Sequence, residues 1–137
     1  MTTAVGRIHL VTVPTTDPDR SIAFYEALGF EKRADFPFGD DARWVELFPP
    51  DGICGIALSG TAADGAAGVD TGLIVTVDDV DAAHASYRGA GWDVDGAVAH
   101  PGSDVTVTVG AATVTGPTPP MFRLRDPDGN ALLIIGV

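Results

Sequence analysis

One stretch of this chain occurs twice. Residues 17–30 (DPDRSIAFYEALGF) return as residues 79–92 (DVDAAHASYRGAGW), 62 positions further on. The same offset carries Ala23 onto Ala85, Tyr25 onto Tyr87 and Gly29 onto Gly91. An apolar run precedes each copy, Ile8 to Val13 before the first and Leu73 to Val77 before the second. A fixed offset marks duplicated units, and such a unit ordinarily cannot bury its apolar face alone. The chain must therefore fold as two related modules, and function is expected where the two halves face each other.

Each copy carries the local signals of a helix. Asp17 can cap a helix that has Pro18 at its first position, where proline's missing N–H costs nothing. Gly29 can end it, because glycine takes the left-handed conformation that follows a last turn. Asp79 and Gly91 repeat this grammar. Ile22, Tyr25 and Leu28 share one face of the first helix; Val80, Ala83, Tyr87 and Ala90 share one face of the second. Strands fill the intervals. Arg43 to Phe48 and Ile53 to Leu58 flank the turn Pro49-Pro50-Asp51-Gly52, and Phe122 to Arg125 and Ala131 to Ile135 flank Asp126-Pro127-Asp128-Gly129-Asn130. Phe30 to Asp35 and Trp92 to Ala99 begin the strand series after each helix. Each half thus reads βαβββ, an α+β pattern. The modules cover roughly 6–60 and 71–137 of one 1–137 domain, with the Gly/Ala-rich segment from Gly60 to Asp70 as linker.

Length and charge narrow the function. A chain of 137 residues forms one domain that buries about two thirds of its unfolded surface. No apolar stretch approaches the roughly 20 residues of a membrane span, and the first residues do not read as a secretory signal. The single cysteine, Cys54, excludes an internal disulfide and fits a cytoplasmic setting. With 19 acidic and 8 basic residues, the formal net charge is −11. Nucleic acid and membrane surfaces are therefore poor partners.

The duplicated βαβββ pattern resembles the vicinal oxygen chelate superfamily of glyoxalase, bleomycin-resistance and extradiol dioxygenase proteins. The residues that carry the resemblance are Asp17 to Phe30 (DPDRSIAFYEALGF), Thr76 to Asp81 (TVDDVD), Pro119 to Phe122 (PPMF) and Arg125 to Asn130 (RDPDGN). The resemblance spans nearly the whole chain. It implies two modules whose mixed sheets curl around a cleft, with helices outside. Metal enzymes of the family place four ligands in that cleft, two His and two Glu in the glyoxalase pattern. Those positions fall here on Leu10, Ala57, Gly72 and Leu133, and 62 residues again separate the first from the third. None has a side chain that binds a divalent metal. No metal or other cofactor is expected.

His9 lies one residue from a ligand position. A strand alternates faces, so His9 is expected in the helix layer; a local shift would turn it to the cleft. His84 and His100 are expected at the surface or as caps, and Cys54 as a small core residue. Ser59 has no His–acid partner nearby in sequence, so triad chemistry is unsupported. The same parity, with Val45, Leu47, Phe122 and Leu124 in the core, assigns Leu10, Thr12, Trp44, Glu46, Phe48, Ala57, Ile74, Met121, Arg123 and Leu133 to the cleft as ligand-contacting residues. Such a mainly apolar, aromatic lining with a few polar groups suits a small molecule; a collapsed core would use the same residues. Glu46 and Arg123 could be an ion pair or polar anchors.

Leu133 lies 76 residues after Ala57, so the second half holds about 14 extra residues. The alternating segment 105–115 predicts an added hairpin, as an edge ornament, a lid or a dimer contact. Two functions follow. One is metal-free binding of a small apolar or aromatic compound, as in bleomycin-resistance sequestration and antibiotic resistance. The other is a glyoxalase- or dioxygenase-type enzyme with atypical ligands or metal-free acid–base chemistry. A homodimer is expected by the resemblance.

Overall fold

The computed structural model describes residues 2–37, 39–40, 42–59, 67–100, 106–109, 112–115 and 119–136. It divides into two compact units, Met1–Ala67 and Gly68–Val137. The first contains β1 (Leu10–Pro14), α1 (Pro18–Ala27), β2 (Glu31–Pro37), β3 (Arg43–Phe48) and β4 (Gly55–Ser59). The second contains β5 (Asp70–Val77), α2 (Val80–Gly89), β6 (Asp93–Val94), β7 (Thr106–Val109), β8 (Ala112–Thr115), β9 (Met121–Arg125) and β10 (Ala131–Gly136). Each unit is a βαβββ module, the second with an inserted hairpin.

The two helices repeat residue for residue. The Asp17 carboxylate accepts from the backbone N–H of Arg20, and the Asp79 carboxylate from that of Ala82. Both satisfy a first-turn donor that the helix itself leaves unpaired. Gly29 (φ +106°) and Gly91 (φ +80°) lie in the left-handed region just past the helices, where a side chain would be strained. Phe30 N–H then reaches Tyr25 O, and Trp92 N–H reaches Tyr87 O. The rings of Tyr25 and Phe30, and of Tyr87 and Trp92, pack beside these closing bonds.

In the first module the strand order is β1-β4-β3-β2, with β1 parallel to β4 and the other pairs antiparallel. The α1 face of this sheet is the core. Val13, Val45, Leu47, Ile56 and Leu58 are buried there, as are Ile22, Phe24 and Tyr25 of the helix. Ser21 and Thr15 are buried too, and their hydroxyls share a 2.6 Å hydrogen bond. Outside, Arg43 joins three elements: its guanidinium donates two 2.7 Å bonds to the carboxylate of Asp35 on β2 and one of 2.7 Å to Asp19 on α1. Lys32 adds a 2.8 Å bond to Asp35.

The second module repeats the order as β5-β10-β9-β6. Phe122, Leu124, Leu132 and Ile134 are buried on its helix side, and His84 and Tyr87 of α2 set their rings against Phe122. The expected strand from Trp92 to Ala99 is only two residues long, followed by an isolated bridge between Ala99 and Met121. Asp95 interrupts it: its carboxylate accepts the Arg123 N–H that would otherwise continue the ladder. β7 and β8 form the inserted antiparallel hairpin, Thr106 opposite Thr115 and Val109 opposite Ala112. Residues 105, 110 and 111, like 60–66 of the linker, lie outside the described residues, as do the predicted valine and threonine faces.

The motif Asp126 to Asn130 does more than turn the chain. Asp126 and Asn130 are buried. The Asp126 carboxylate accepts from the N–H groups of Asp128 and Asn130 and from the Asn130 amide. The Asn130 side-chain oxygen accepts from Gly68 N–H and Val69 N–H, so the β9–β10 turn holds the entry to β5. Other boundaries shift from expectation. β1 begins at Leu10 and β4 at Gly55, which leaves Ile8 and Ile53 outside the ladder and exposed. Ile53 N–H is taken by the Asp51 side chain in the preceding turn. On the expected helix faces Ala83 and Tyr87 are partly buried and Ala90 is exposed. No helix of the described residues is long and apolar enough to cross a membrane.

Candidate ligand-binding faces

On the face of the first sheet opposite α1, cross-strand register sets side chains in rows. Thr12, Ala57, Glu46 and Ala34 form one row, and Pro14, Ser59, Trp44 and Phe36 the next. Trp44 and Glu46 are two apart on β3 and so share this face. The Trp44 indole N–H donates a 2.7 Å hydrogen bond to Oε2 of Glu46. Both side chains are partly buried, whereas Ala57 beneath them is fully covered. Phe48 lies over Gly55, close enough that a Cβ on Gly55 would stand 2.9 Å from its ring. The Arg33 guanidinium sits 4.8 Å above that ring, and the His9 ring is 5.6 Å away.

The corresponding face of the second sheet has Ile74, Leu133 and Arg123 in one row and Thr76, Ile135 and Met121 in the next. Met121 and Leu133 are buried against Ala99, and Ile74 is 56% exposed. Arg123 occupies the register that Glu46 has in the first module: Glu46 stands opposite Ala57, and Arg123 opposite Leu133. Its guanidinium lies 3.7 Å from the Asp70 carboxylate. Nearby, Arg125 pairs with Asp93 and Asp95.

The ten residues expected to contact a ligand therefore fall on these two faces. Leu10, Thr12, Trp44, Glu46, Phe48 and Ala57 belong to the first, and Ile74, Met121, Arg123 and Leu133 to the second. Sequence reasoning missed Phe36, which stands opposite Trp44 and is 48% exposed. A register shift between Lys32 and Ala34 changes the parity of β2, and no composition signal announces it. It also missed Asp70 as the partner of Arg123.

The residues at the family's ligand positions do not fit a metal. Leu10, Ala57 and Leu133 have hydrocarbon side chains. Gly72 has φ +72° at the irregular start of the β5–β10 pairing, so the backbone there disfavours any side chain. Among the described residues no three His, Cys, Asp or Glu side chains are grouped to hold an ion.

Of the other candidates, His9 and Cys54 need correction. His9 is not in the helix layer: it precedes β1, is exposed, and its carbonyl accepts from Gly55 N–H. His84 is partly buried; its Nε2 meets the backbone oxygen of Asp95 at 2.6 Å and its ring packs edge-on to Phe122. His100 is exposed and meets Asp81 of α2 at 2.9 Å. Cys54 is only partly buried and lies before β4.

Known proteins share this fold. The chain is 27% identical to TnmS3, an antibiotic binding protein from Streptomyces sp. CB03234, covering 98% of each chain with a TM-score of 0.73. It is 28% identical to a glyoxalase/bleomycin resistance protein from the same Streptomyces strain, covering 93% of this chain and 98% of that one, with a TM-score of 0.66. A superfamily member from Sphaerobacter thermophilus DSM 20745 shares the fold, with 23% identity, coverage of 97% and 98%, and a TM-score of 0.77. No curated protein matches the chain. The family model of the Glyoxalase/Bleomycin resistance protein/Dioxygenase superfamily matches residues 7–134, and with the duplicated βαβββ modules this establishes that the chain belongs to that superfamily.

Proposed function

We propose that this protein is a metal-independent binder of a small, largely aromatic or apolar molecule, acting by sequestration. The observation that carries the reading is the Trp44–Glu46 pair, a rigid indole whose N–H is held by a carboxylate on an otherwise largely apolar sheet face. Tryptophan offers large contact area at little entropic cost, and a fixed polar group beside it gives orientation. The donor-free ligand positions support binding over metal chemistry. The antibiotic-binding relative TnmS3 supports a drug-like ligand. Glu46 as a general base is less favoured, because its hydrogen-bond partner is an indole rather than a second acid.

The test is tryptophan fluorescence titrated with polycyclic and peptide antibiotics. A saturable change that disappears in Trp44→Phe supports the reading; Trp92 is the remaining emitter. The reading fails if no compound perturbs Trp44 and Trp44→Ala chiefly unfolds the chain. Specific resistance to bleomycin would show as binding of that drug in the same titration. We also infer a homodimer, checked by light scattering against the 14.1 kDa of one chain. A cytoplasmic location is consistent with the single cysteine, and fractionation of the native host checks it.

A further inference from the structure

We propose that the ligand is a cationic aromatic molecule, a planar ring system whose protonated nitrogen is set against Glu46. This rests on the small-molecule reading above and narrows it. Glu46 lies in a row with Thr12, Ala57 and Ala34, and none of these supplies a charge. One carboxylate oxygen, Oε2, takes the Trp44 indole N–H. Among the described residues of the first unit no basic side chain forms an ion pair with Glu46. The bases of β2 and β3 are engaged elsewhere: Arg43 with Asp35 and Asp19, Lys32 with Asp35, and Arg33 over the Phe48 ring and beside Glu31.

The consequence is a preference between ligands. A neutral hydrocarbon laid over this face would take a carboxylate out of water without replacing its lost hydrogen bonds, which is costly. A ligand bearing a charged N–H restores them, and hydrogen bonds between charged groups are about twice as strong as neutral ones. The face thus selects against neutral molecules as much as it attracts cations. The aromatic side chains favour the same class. Trp44 and its cross-strand neighbour Phe36 stand in the row next to that of Glu46, and aromatic faces attract cations. The net charge of −11 raises the local concentration of cations around the whole chain.

Isothermal titration calorimetry with two probes of equal ring count tests this. 9-Aminoacridine is cationic at pH 7, and 9-(hydroxymethyl)anthracene is neutral. Wild type should bind the cation roughly tenfold more tightly than the neutral probe. Glu46→Gln should abolish that ratio, the cation binding more weakly and the neutral probe more tightly than in wild type, whereas Glu46→Asp should keep most of it. Asp51→Asn, which changes the net charge equally on an exposed turn, should leave the ratio intact. Circular dichroism confirms that each variant is folded. If the neutral probe binds wild type as tightly, or the ratio survives in Glu46→Gln, the cationic class is overturned and the small-molecule reading stands. If neither probe nor any antibiotic of the fluorescence panel binds, both fall.

Discussion

The indole N–H of Trp44 is held 2.7 Å from Oε2 of Glu46, across the two-residue spacing that puts both side chains on one face of β3. The bond fixes the plane of the ring and leaves neither the partly buried donor nor that acceptor oxygen unmatched. Trp44→Phe keeps a ring and removes the donor. It should lower stability by about 1 kcal/mol, the usual net worth of a hydrogen bond, and should weaken ligand binding. Trp44→Ala should cost less than the roughly 3–5 kcal/mol of a core aromatic truncation. Urea unfolding beside ligand titration separates the two effects.

Gly55 should tolerate no side chain. A Cβ there would lie 2.8 Å from the Leu47 carbonyl oxygen and 2.9 Å from the Phe48 ring. The carbonyl is backbone in the β3–β4 hairpin, so it cannot yield cheaply. Gly55→Ala should destabilise by about 1–3 kcal/mol, read as a lower urea midpoint at unchanged slope.

Asn130→Ala removes an acceptor for two N–H groups and a donor to a buried carboxylate. A loss of roughly 2–4 kcal/mol is expected, since buried polar groups are left unmatched. Hydrogen exchange should show faster opening at Gly68 and Val69. Asp51→Asn, on an exposed turn, should stay within about 0.5 kcal/mol of wild type.

Hydrogen bonds from Arg43 and then Lys32 hold the Asp35 carboxyl well below the usual carboxylate range. Its folded pKa is depressed, so its contribution is present above the unfolded value near 4 and is lost as pH falls below it. The group is near the surface, and the effect should be within about 1 kcal/mol. Asp35→Asn should flatten the acid limb of the stability profile below about pH 4. High salt should reduce the difference.

Protein purified without chelator should carry Zn, Ni, Mn or Fe far below one ion per chain, measured by elemental analysis. About one ion per chain, lost on mutating His9 or Glu46, would show that unusual residues have taken over the ligand role.

Much of the chain was legible because its signals are local. α1 and α2 begin and end 62 residues apart at both ends, with the capping carboxylates on the residues that the repeat marks. Those signals lie within a few residues of one another, so the local order of residues reveals them. Alternation in β3 and β9 likewise separated the helix side, Val45, Leu47, Phe122 and Leu124, from Trp44, Glu46 and Arg123. The longer offset of the last strand also holds: Thr12 pairs with Ala57 in the first module and Ile74 with Leu133 in the second.

Only tertiary structure decided the rest, since it depends on partners distant in sequence. Cross-strand pairing, and the irregularity at Lys32 to Ala34, set Phe36 opposite Trp44. The Asp95 carboxylate cut β6 short by taking an N–H from β9. The turn Asp126 to Asn130, read from sequence as a chain reversal, became a buried clamp because β5 runs beside β10 and brings Gly68 and Val69 to it. A sequence states which groups can bond; register chooses which do, because a hydrogen bond requires its two atoms within about 3 Å of each other.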